Sequence, residues 1–211
     1  MLLVNLLKGV VINMYCNKPY SNPYSKEVSI KHTPEPKRIL QVPVIKGFGE
    51  KEELVVSQIT IAPPNPPIFR IISIDKEVVI TNFKLVSIYD AHECKSSYKA
   101  KVIIDGFIDK NILYKTITES TGQAVGGPVF QFTTRINFAT FVEVKSKEPI
   151  YKTDQVEILS AFVEGEKEEL LDPNDVAIGA PDFAVTYNTL LEKMIVKIKL
   201  KVTRLEHVPV K

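Results

Sequence analysis

The chain has 211 residues, of which 45 % are apolar and 25 % are charged, a composition typical of a globular protein that folds without a structural metal or disulfide. Its 27 basic and 25 acidic side chains leave a net charge of +2, so it lacks the basic excess of a dedicated nucleic-acid binder. Two cysteines are too few for a disulfide framework.

Residues 1–36 differ from the rest and are predicted to form an N-terminal arm that precedes a domain at 37–211. The apolar stretch up to Met14 is interrupted by Lys8. It is too short to span a bilayer and lacks the basic leader of a signal peptide. Tyr15, Tyr20 and Tyr24 follow among prolines and asparagines. They are candidate anchors for a partner, because tyrosine contributes large contact area at low entropic cost. The alternative is that they pack the arm onto its own domain.

From Leu40 onward the apolar residues recur with a period of two, which predicts strands with one face on a core and one in water. The cleanest case is 196–203, where Val196 begins an apolar face and Lys197 begins a polar one. Shorter alternating pieces occur at 42–45, 59–61, 72–80, 98–105, 130–133 and 142–145. The proline-rich stretch Ala62–Pro67 predicts a break that no central strand would contain.

These strands predict an all-β fold, an antiparallel β-sandwich with an extended N-terminal arm. The best helical pattern is the short stretch Thr186–Lys193. The glycines around Thr121–Pro128 lack the lysine of a phosphate-binding loop and predict a hairpin loop instead.

The sequence shows no pattern that points to catalysis or to a metal. A nucleophile elbow is absent, and His92 with Cys94 offers only two of the ligands that zinc requires. The acidic run at 164–169 is typical of a solvated loop. We therefore predict that the chain is not an enzyme and has no catalytic, cofactor-binding or metal-binding residues.

Two features suggest contacts with other molecules. Cys16 and Cys94 are candidates for an intermolecular disulfide formed after assembly, because Cys16 lies in the arm; the alternative is two free thiols in a reducing cytoplasm. Lys197, Lys199 and Lys201 form a ladder that would either meet an acidic partner or keep the strand soluble and deter edge-to-edge pairing.

Several ordered segments resemble the SPOCS domain family. They are Ile61–Ile80, with its proline-containing loop and following strand, and Lys99–Tyr114; Gln41–Ile45 and Ile195–Thr203 fit the first and last strands, so the resemblance covers about 38–206. SPOCS domains occur in spore coat and exosporium proteins of endospore-forming bacteria. One relative adds a C-terminal LysM module as an adaptor, whereas no such module follows here before Lys211. The resemblance implies no catalytic residues.

The resemblance implies a protein made in the mother-cell cytoplasm and deposited on the spore surface. We expect a structural, self-assembling protein of the spore coat, exosporium or a surface filament, whose copies are joined by β-edge and arm contacts. Its partners would be copies of itself and other spore coat or exosporium proteins, with no nucleic acid and no membrane span. The alternative is a morphogenetic adaptor that binds another coat protein in defined stoichiometry.

Overall fold

The computed structural model describes residues 38–88 and 98–210, and these residues form strands and connections without a helix. The strands are β1 (Arg38–Thr60), β2 (Arg70–Ile88), β3 (Tyr98–Lys115), β4 (Glu119–Ser120), β5 (Val125–Gly126), β6 (Val129–Ser146), β7 (Gln155–Pro173) and β8 (Tyr187–Val210). The predicted arm, and with it the boundary between residues 36 and 37, lies outside the described residues.

The six long strands form one antiparallel sheet in the order β2-β3-β6-β1-β8-β7, and this sheet is curled into two layers. β2, β3 and β6 make up the first layer, and β1, β8 and β7 make up the second. Within residues 38–88 and 98–210, ladder pairs join the layers only between β1 and β6. The central strands β3 and β8 face each other, and Lys110 contacts Glu192 between them. The architecture confirms the predicted all-β sandwich.

The antiparallel order places the connections at two opposite ends of the sandwich. Residues 61–69, 116–128 and 174–186 lie at one end, which we call the loop end. The connection 147–154 lies at the other. There, residues 38–44 of β1 and 204–210 of β8 pair only with each other and extend as a two-stranded ribbon, so we call this the ribbon end.

The interior is built by the period-two pattern that the sequence shows. In β3 the fully buried side chains occupy even positions, and the same holds in β8. The fully buried apolar residues of these two strands are Ala100, Val102, Ile104, Ile108, Ile112, Tyr114, Leu190, Met194, Val196, Ile198, Leu200 and Val202. Each large aliphatic side chain among them contributes about 1.5–3 kcal/mol by leaving water. Three residues depart from the pattern, since Tyr98 is exposed and Thr189 and Thr203 are buried.

The helix predicted at Thr186–Lys193 is wrong, because β8 begins at Tyr187 and runs through this stretch. β1 and β7 pair with β8 on its two sides and satisfy its backbone groups. Eight residues are also too few for a helix that is stable by itself. The acidic run 164–169 is likewise part of β7 rather than a loop.

The two predicted breaks are confirmed. The proline-rich connection leaves β1 after Thr60, and Tyr114 donates a hydrogen bond from its hydroxyl to the Pro66 carbonyl oxygen at 3.1 Å. The glycine-containing stretch forms the β4–β5 hairpin, closed by a 2.8 Å bond from the Thr121 N–H to the Ala124 carbonyl oxygen.

Arg204 of β8 holds the connection between β6 and β7. Its guanidinium donates to both carboxylate oxygens of Asp154, at 2.7 and 2.8 Å, and to the Pro149 carbonyl oxygen at 2.7 Å. The Tyr151 N–H donates to the same carboxylate at 2.9 Å. Burial opposes ionisation of Asp154, but the hydrogen bonds from Arg204 and Tyr151 outweigh it and lower the pKa of this carboxyl.

We predict that Arg204→Gln makes the protein less stable and more sensitive to acid. The loss near neutral pH should be about 2 kcal/mol, between the values of exposed and buried pairs. Because the folded pKa of Asp154 lies below its ordinary value of 3.8, the intact pair contributes its full stability above that value and loses it as the pH falls through the folded pKa. Without the guanidinium the pKa of the buried Asp154 rises, so stability is lost at higher pH.

Urea unfolding between about pH 3 and about pH 7 measures this effect. The matched control is Arg135→Gln, which removes an exposed bidentate pair with Asp109 and should change stability little. Stability curves of Arg204→Gln and the parent that run parallel across this range would contradict the prediction.

Candidate functional site

The residues that the sequence nominates for contacts with other molecules lie outside the described part of the chain. They are Cys16, Cys94, Tyr15, Tyr20 and Tyr24. Their roles as a disulfide and as anchors stay predictions. The structure instead describes the strand edges and surfaces of residues 38–88 and 98–210.

The two layers meet where β1 crosses β6, and we call this point the seam crossing. Its ladder consists of the pairs Phe48↔Lys145 and Gly49↔Val144. A Cβ at Gly49 would lie 2.6 Å from the Val142 Cγ1 atom, and one at Gly47 would lie 2.6 Å from the Lys145 carbonyl oxygen. Real Cβ atoms do not approach so closely, so only glycine lets the two backbones cross here.

Toward the loop end, β1 and β6 separate and leave a cleft between residues 56–60 and 132–137, with a volume of about 490 Å³. We call it the seam cleft. β1 pairs with β8 on its other side up to Thr60, and β6 pairs with β3 from Val129. In the described ranges, the edges that face each other across the cleft therefore have no ladder partner beyond the crossing. Such edges carry rows of free N–H and C=O groups that can bind an added strand.

A polar bridge closes the cleft beside the crossing. Thr140 donates a hydrogen bond from its hydroxyl to the Glu53 carboxylate at 2.6 Å, and the Lys51 ammonium lies 2.8 Å from the same carboxylate. The contact with Lys51 has the largest effect on the pKa of Glu53, and it and the hydrogen bond from Thr140 both lower that pKa. The Phe141 ring lies between the ammonium groups of Lys51 and Lys101, at 4.3 and 4.4 Å. The open part of the cleft is thus the part nearer the loop end.

Large apolar side chains flank the cleft on the outer surface. Leu54 and Val56 of β1 are 61 % and 54 % exposed, and Ile195 pairs in register with Leu54. Across the seam, Ile103 and Phe141 are also paired and exposed. Contiguous exposed apolar side chains mark interaction surfaces more often than isolated ones do.

The outer edges of the sheet are better protected than the seam cleft. β2 is irregular between Ile71 and Ser73 and again between Ile80 and Asn82, and β7 has two similar register shifts. An ion pair between Lys76 and Glu166 ties the two edges together. Bulges and charged side chains deter edge-to-edge pairing. The seam cleft is therefore the better acceptor for a strand.

The ribbon is protected in a different way. Its two strands contain Pro43 and Pro209, and proline offers no N–H to a strand that would pair with either edge. Its faces, however, expose Ile39, Leu40 and Val208. The ribbon therefore favours contacts through side chains rather than through backbone pairing.

The lysine ladder of β8 is neutralised within the chain. The Lys197 ammonium lies 3.3, 3.0 and 2.6 Å from carboxylates of Glu50, Glu52 and Glu164. The hydrogen bonds that Lys197 donates to Glu164 and Glu52 raise the pKa of its ammonium. Lys199 and Lys201 also pair with glutamates of β1 and β7. β8 is not an edge strand, so the ladder does not protect an edge. Its ion pairs help hold β1, β8 and β7 together.

A buried ion pair joins the two layers, and the sequence analysis did not identify it. The Lys110 ammonium of β3 contacts the Glu192 carboxylate of β8, and both side chains are fully buried. Lys76 is next to Lys110 in register, and Glu168 is next to Glu192. Burial, and then the charge of Lys110, lower the pKa of Lys76. The signal was present in the sequence, because Lys110 falls on the even, apolar positions of β3 between Ile108 and Ile112.

A comparison with known families matches residues 67–164 to a family described as SipL, SPOCS domain. Residues 67–164 are thus similar to the SPOCS domain family. No curated protein and no solved structure gives a significant match.

The SPOCS match spans the whole first layer and the beginning of β7. It includes most of Ile61–Ile80 and all of Lys99–Tyr114, two of the segments on which the resemblance was based, whereas Gln41–Ile45 and Ile195–Thr203 lie outside it. β1 and β8 lie outside the matched residues. The match indicates a sporulation-related role.

The described residues show neither a metal centre nor a membrane-spanning helix. Within 38–88 and 98–210, His, Cys, Asp and Glu side chains do not gather in groups of three or more that could hold a metal ion. No helix in the same ranges has the length and apolar character to cross a bilayer.

Proposed function

We propose that this protein is a structural, self-assembling component of the bacterial spore envelope, in the coat, the exosporium or a surface filament. It is made in the mother-cell cytoplasm and deposited on the spore surface. Its copies are joined by β-edge contacts and by the N-terminal arm. The seam cleft carries this proposal, because among residues 38–88 and 98–210 its two edges have no ladder partners and lie beside exposed apolar side chains.

The arm of one copy supplies the strand that the cleft of another accepts. In the sequence, Val28 and Ile30 alternate with polar residues, as a half-buried strand requires. An added strand gains backbone hydrogen bonds from both cleft edges and side-chain contacts with the apolar flank. Tyr15, Tyr20 and Tyr24 anchor the arm, and Cys16 and Cys94 provide a disulfide that locks the contact after assembly.

The geometry favours an acceptor from a second copy. The arm enters the described structure at Arg38, at the far end of the ribbon, whereas the open part of the cleft lies near Thr60. These points are 22 residues apart along β1, or roughly 70 Å at the rise of an extended strand. An arm that continues outward from the ribbon end meets a neighbouring molecule before it meets its own cleft.

We predict that deleting residues 1–36 leaves a folded protein that no longer polymerises. The full chain should elute as large or open-ended assemblies, and the shortened chain as a monomer, in size-exclusion chromatography with light scattering. Urea unfolding of the shortened chain checks that it is folded.

A second variant separates the anchors from the arm as a whole. Replacing Tyr15, Tyr20 and Tyr24 together by alanine should weaken assembly without removing the strand-forming piece at Val28–Ile30. If the shortened chain assembles as the full chain does, the arm has no such role. If the full chain is a discrete monomer or dimer, the protein is better explained as a morphogenetic adaptor that binds another coat protein in defined stoichiometry.

A further inference from the structure

The loop between β7 and β8 is an ordered projection at the loop end. Asn174 and Asn188 exchange side-chain hydrogen bonds of 2.9 and 3.0 Å at its base. Two turns follow, closed by bonds of 2.9 Å from the Ala180 N–H to the Ala177 carbonyl oxygen and from the Ala184 N–H to the Pro181 carbonyl oxygen. Gly179, with a φ of 85°, takes the left-handed conformation that the first turn requires. The loop thus holds its outer side chains in defined positions.

This loop presents apolar side chains surrounded by negative charge. Ile178 is fully exposed at the tip, and Phe183 is 53 % exposed beside it. Asp172, Asp175 and Asp182 are exposed, and they form no ion pair with a cation of the described residues. Such an apolar tip with an acidic border fits a groove with an apolar floor and a basic border.

A groove of that kind lies near the opposite end of the molecule, where β1 and β6 separate on the ribbon side of the seam crossing. Its volume is about 620 Å³. Val44, Ile45 and Phe48 contribute apolar side chains, and Ile45 and Phe48 are half or more exposed. Lys145 and Lys147 line its border and are exposed. The third lysine, Lys46, is already paired with Glu148 and Glu206.

We propose that the β7–β8 loop of one copy docks into this groove of the next, with Ile178 on the apolar floor and Asp175 and Asp182 facing Lys145 and Lys147. This inference rests on the proposed self-assembly and adds a second contact that does not involve the arm. Phe48 of the groove and Thr60 at the loop end of β1 are 12 residues, or roughly 40 Å, apart, so the groove and the β7–β8 loop lie at different levels of the sandwich. A contact between two different surfaces joins copies head to tail and produces a filament unless its rotation closes a ring.

A charge exchange in the full chain tests this contact. The first variant, Asp175→Lys with Asp182→Lys, makes the loop basic, and the second, Lys145→Glu with Lys147→Glu, makes the groove acidic. Each variant alone brings like charges together and should raise the concentration at which assembly begins about tenfold or more. Mixed in equal amounts, the two variants can alternate, so that each basic loop meets an acidic groove and each acidic loop meets a basic groove. The mixture should therefore assemble as the parent does.

Two further variants complete the experiment. Ile178→Asp removes the apolar tip at a fully exposed position, so it should impair assembly without affecting the fold. Lys152 is exposed and lies at the ribbon end but outside the groove. Lys152→Glu should therefore leave assembly unchanged. Charge variants that assemble as the parent does would overturn the loop–groove contact and leave the arm model standing. A parent chain that stays monomeric at every concentration would overturn both.

Discussion

Lys110→Met is expected to lower the free energy of unfolding by about 3–5 kcal/mol, the cost typical of leaving one partner of a buried ion pair without the other. The Glu192 carboxylate would then remain in the interior without a cation, and one of its oxygens already has no hydrogen-bond partner. Met194 lies on the same face of β8, and Ile108 and Ile112 flank Lys110 on β3. These neighbours offer the charge no partner, and the nearby cation Lys76 is already paired with Glu166. Urea unfolding measures the change.

The double variant Lys110→Met with Glu192→Leu identifies the cause of that loss. Because it replaces both charges by apolar side chains of similar volume, it should recover most of the stability or exceed that of the parent. Lys99→Met is the control, since it makes the same change on the same strand in an exposed pair with Glu143. If Lys110→Met alone loses no more stability than the control Lys99→Met, the pair of Lys110 and Glu192 is not isolated from water.

The second large effect concerns the seam crossing. Gly49→Ala should destabilise the protein by about 1–3 kcal/mol, the usual cost of overpacking a tight site. The added Cβ would lie 2.6 Å from the Val142 Cγ1 atom and 3.0 Å from the Glu143 carbonyl oxygen. The crossing contains the ladder pairs that join the layers in the described residues. A shift of β1 away from β6 therefore loosens the contact between the layers as well as the local packing.

Gly165→Ala is the matched control, because a Cβ at this β7 position has no neighbour within 4 Å. It should leave stability unchanged or raise it slightly by restricting the unfolded chain. Comparable losses for Gly49→Ala and Gly165→Ala in urea unfolding would mean that the crossing is not tightly packed.

Much of the fold follows from local pattern. The alternation at 98–105 and 196–203 predicted the faces of β3 and β8 that form the interior, because a strand places successive side chains on opposite sides. Helical spacing at Thr186–Lys193 misled, since one of the two strands that pair with this stretch, β1, comes from a distant part of the chain. The same error concealed Glu192, whose position continues the even, buried face of β8.

The candidate site was less predictable. The seam cleft depends on which strands become neighbours and where they separate, and neither is encoded in a short stretch of β1 or β6. The closeness of Gly47 and Gly49 in sequence was a signal for a close backbone approach, but it does not name the strand approached. The proposed contact between the loop at 174–186 and the groove lined by 44–48 and 145–148 likewise depends on the topology, which places the two at opposite ends.

Amide hydrogen exchange along the seam cleft is the most direct test of assembly by strand donation. In the assembled full chain, the amides that face the cleft, every second one of residues 56–60 in β1 and 132–137 in β6, should exchange slowly, because an inserted strand from another copy accepts their hydrogen bonds. On dilution to monomers, and in the chain without residues 1–36, the same amides should exchange fast while those of β3 stay protected. Equally fast exchange along the cleft in the assembled and the shortened chain would contradict the account.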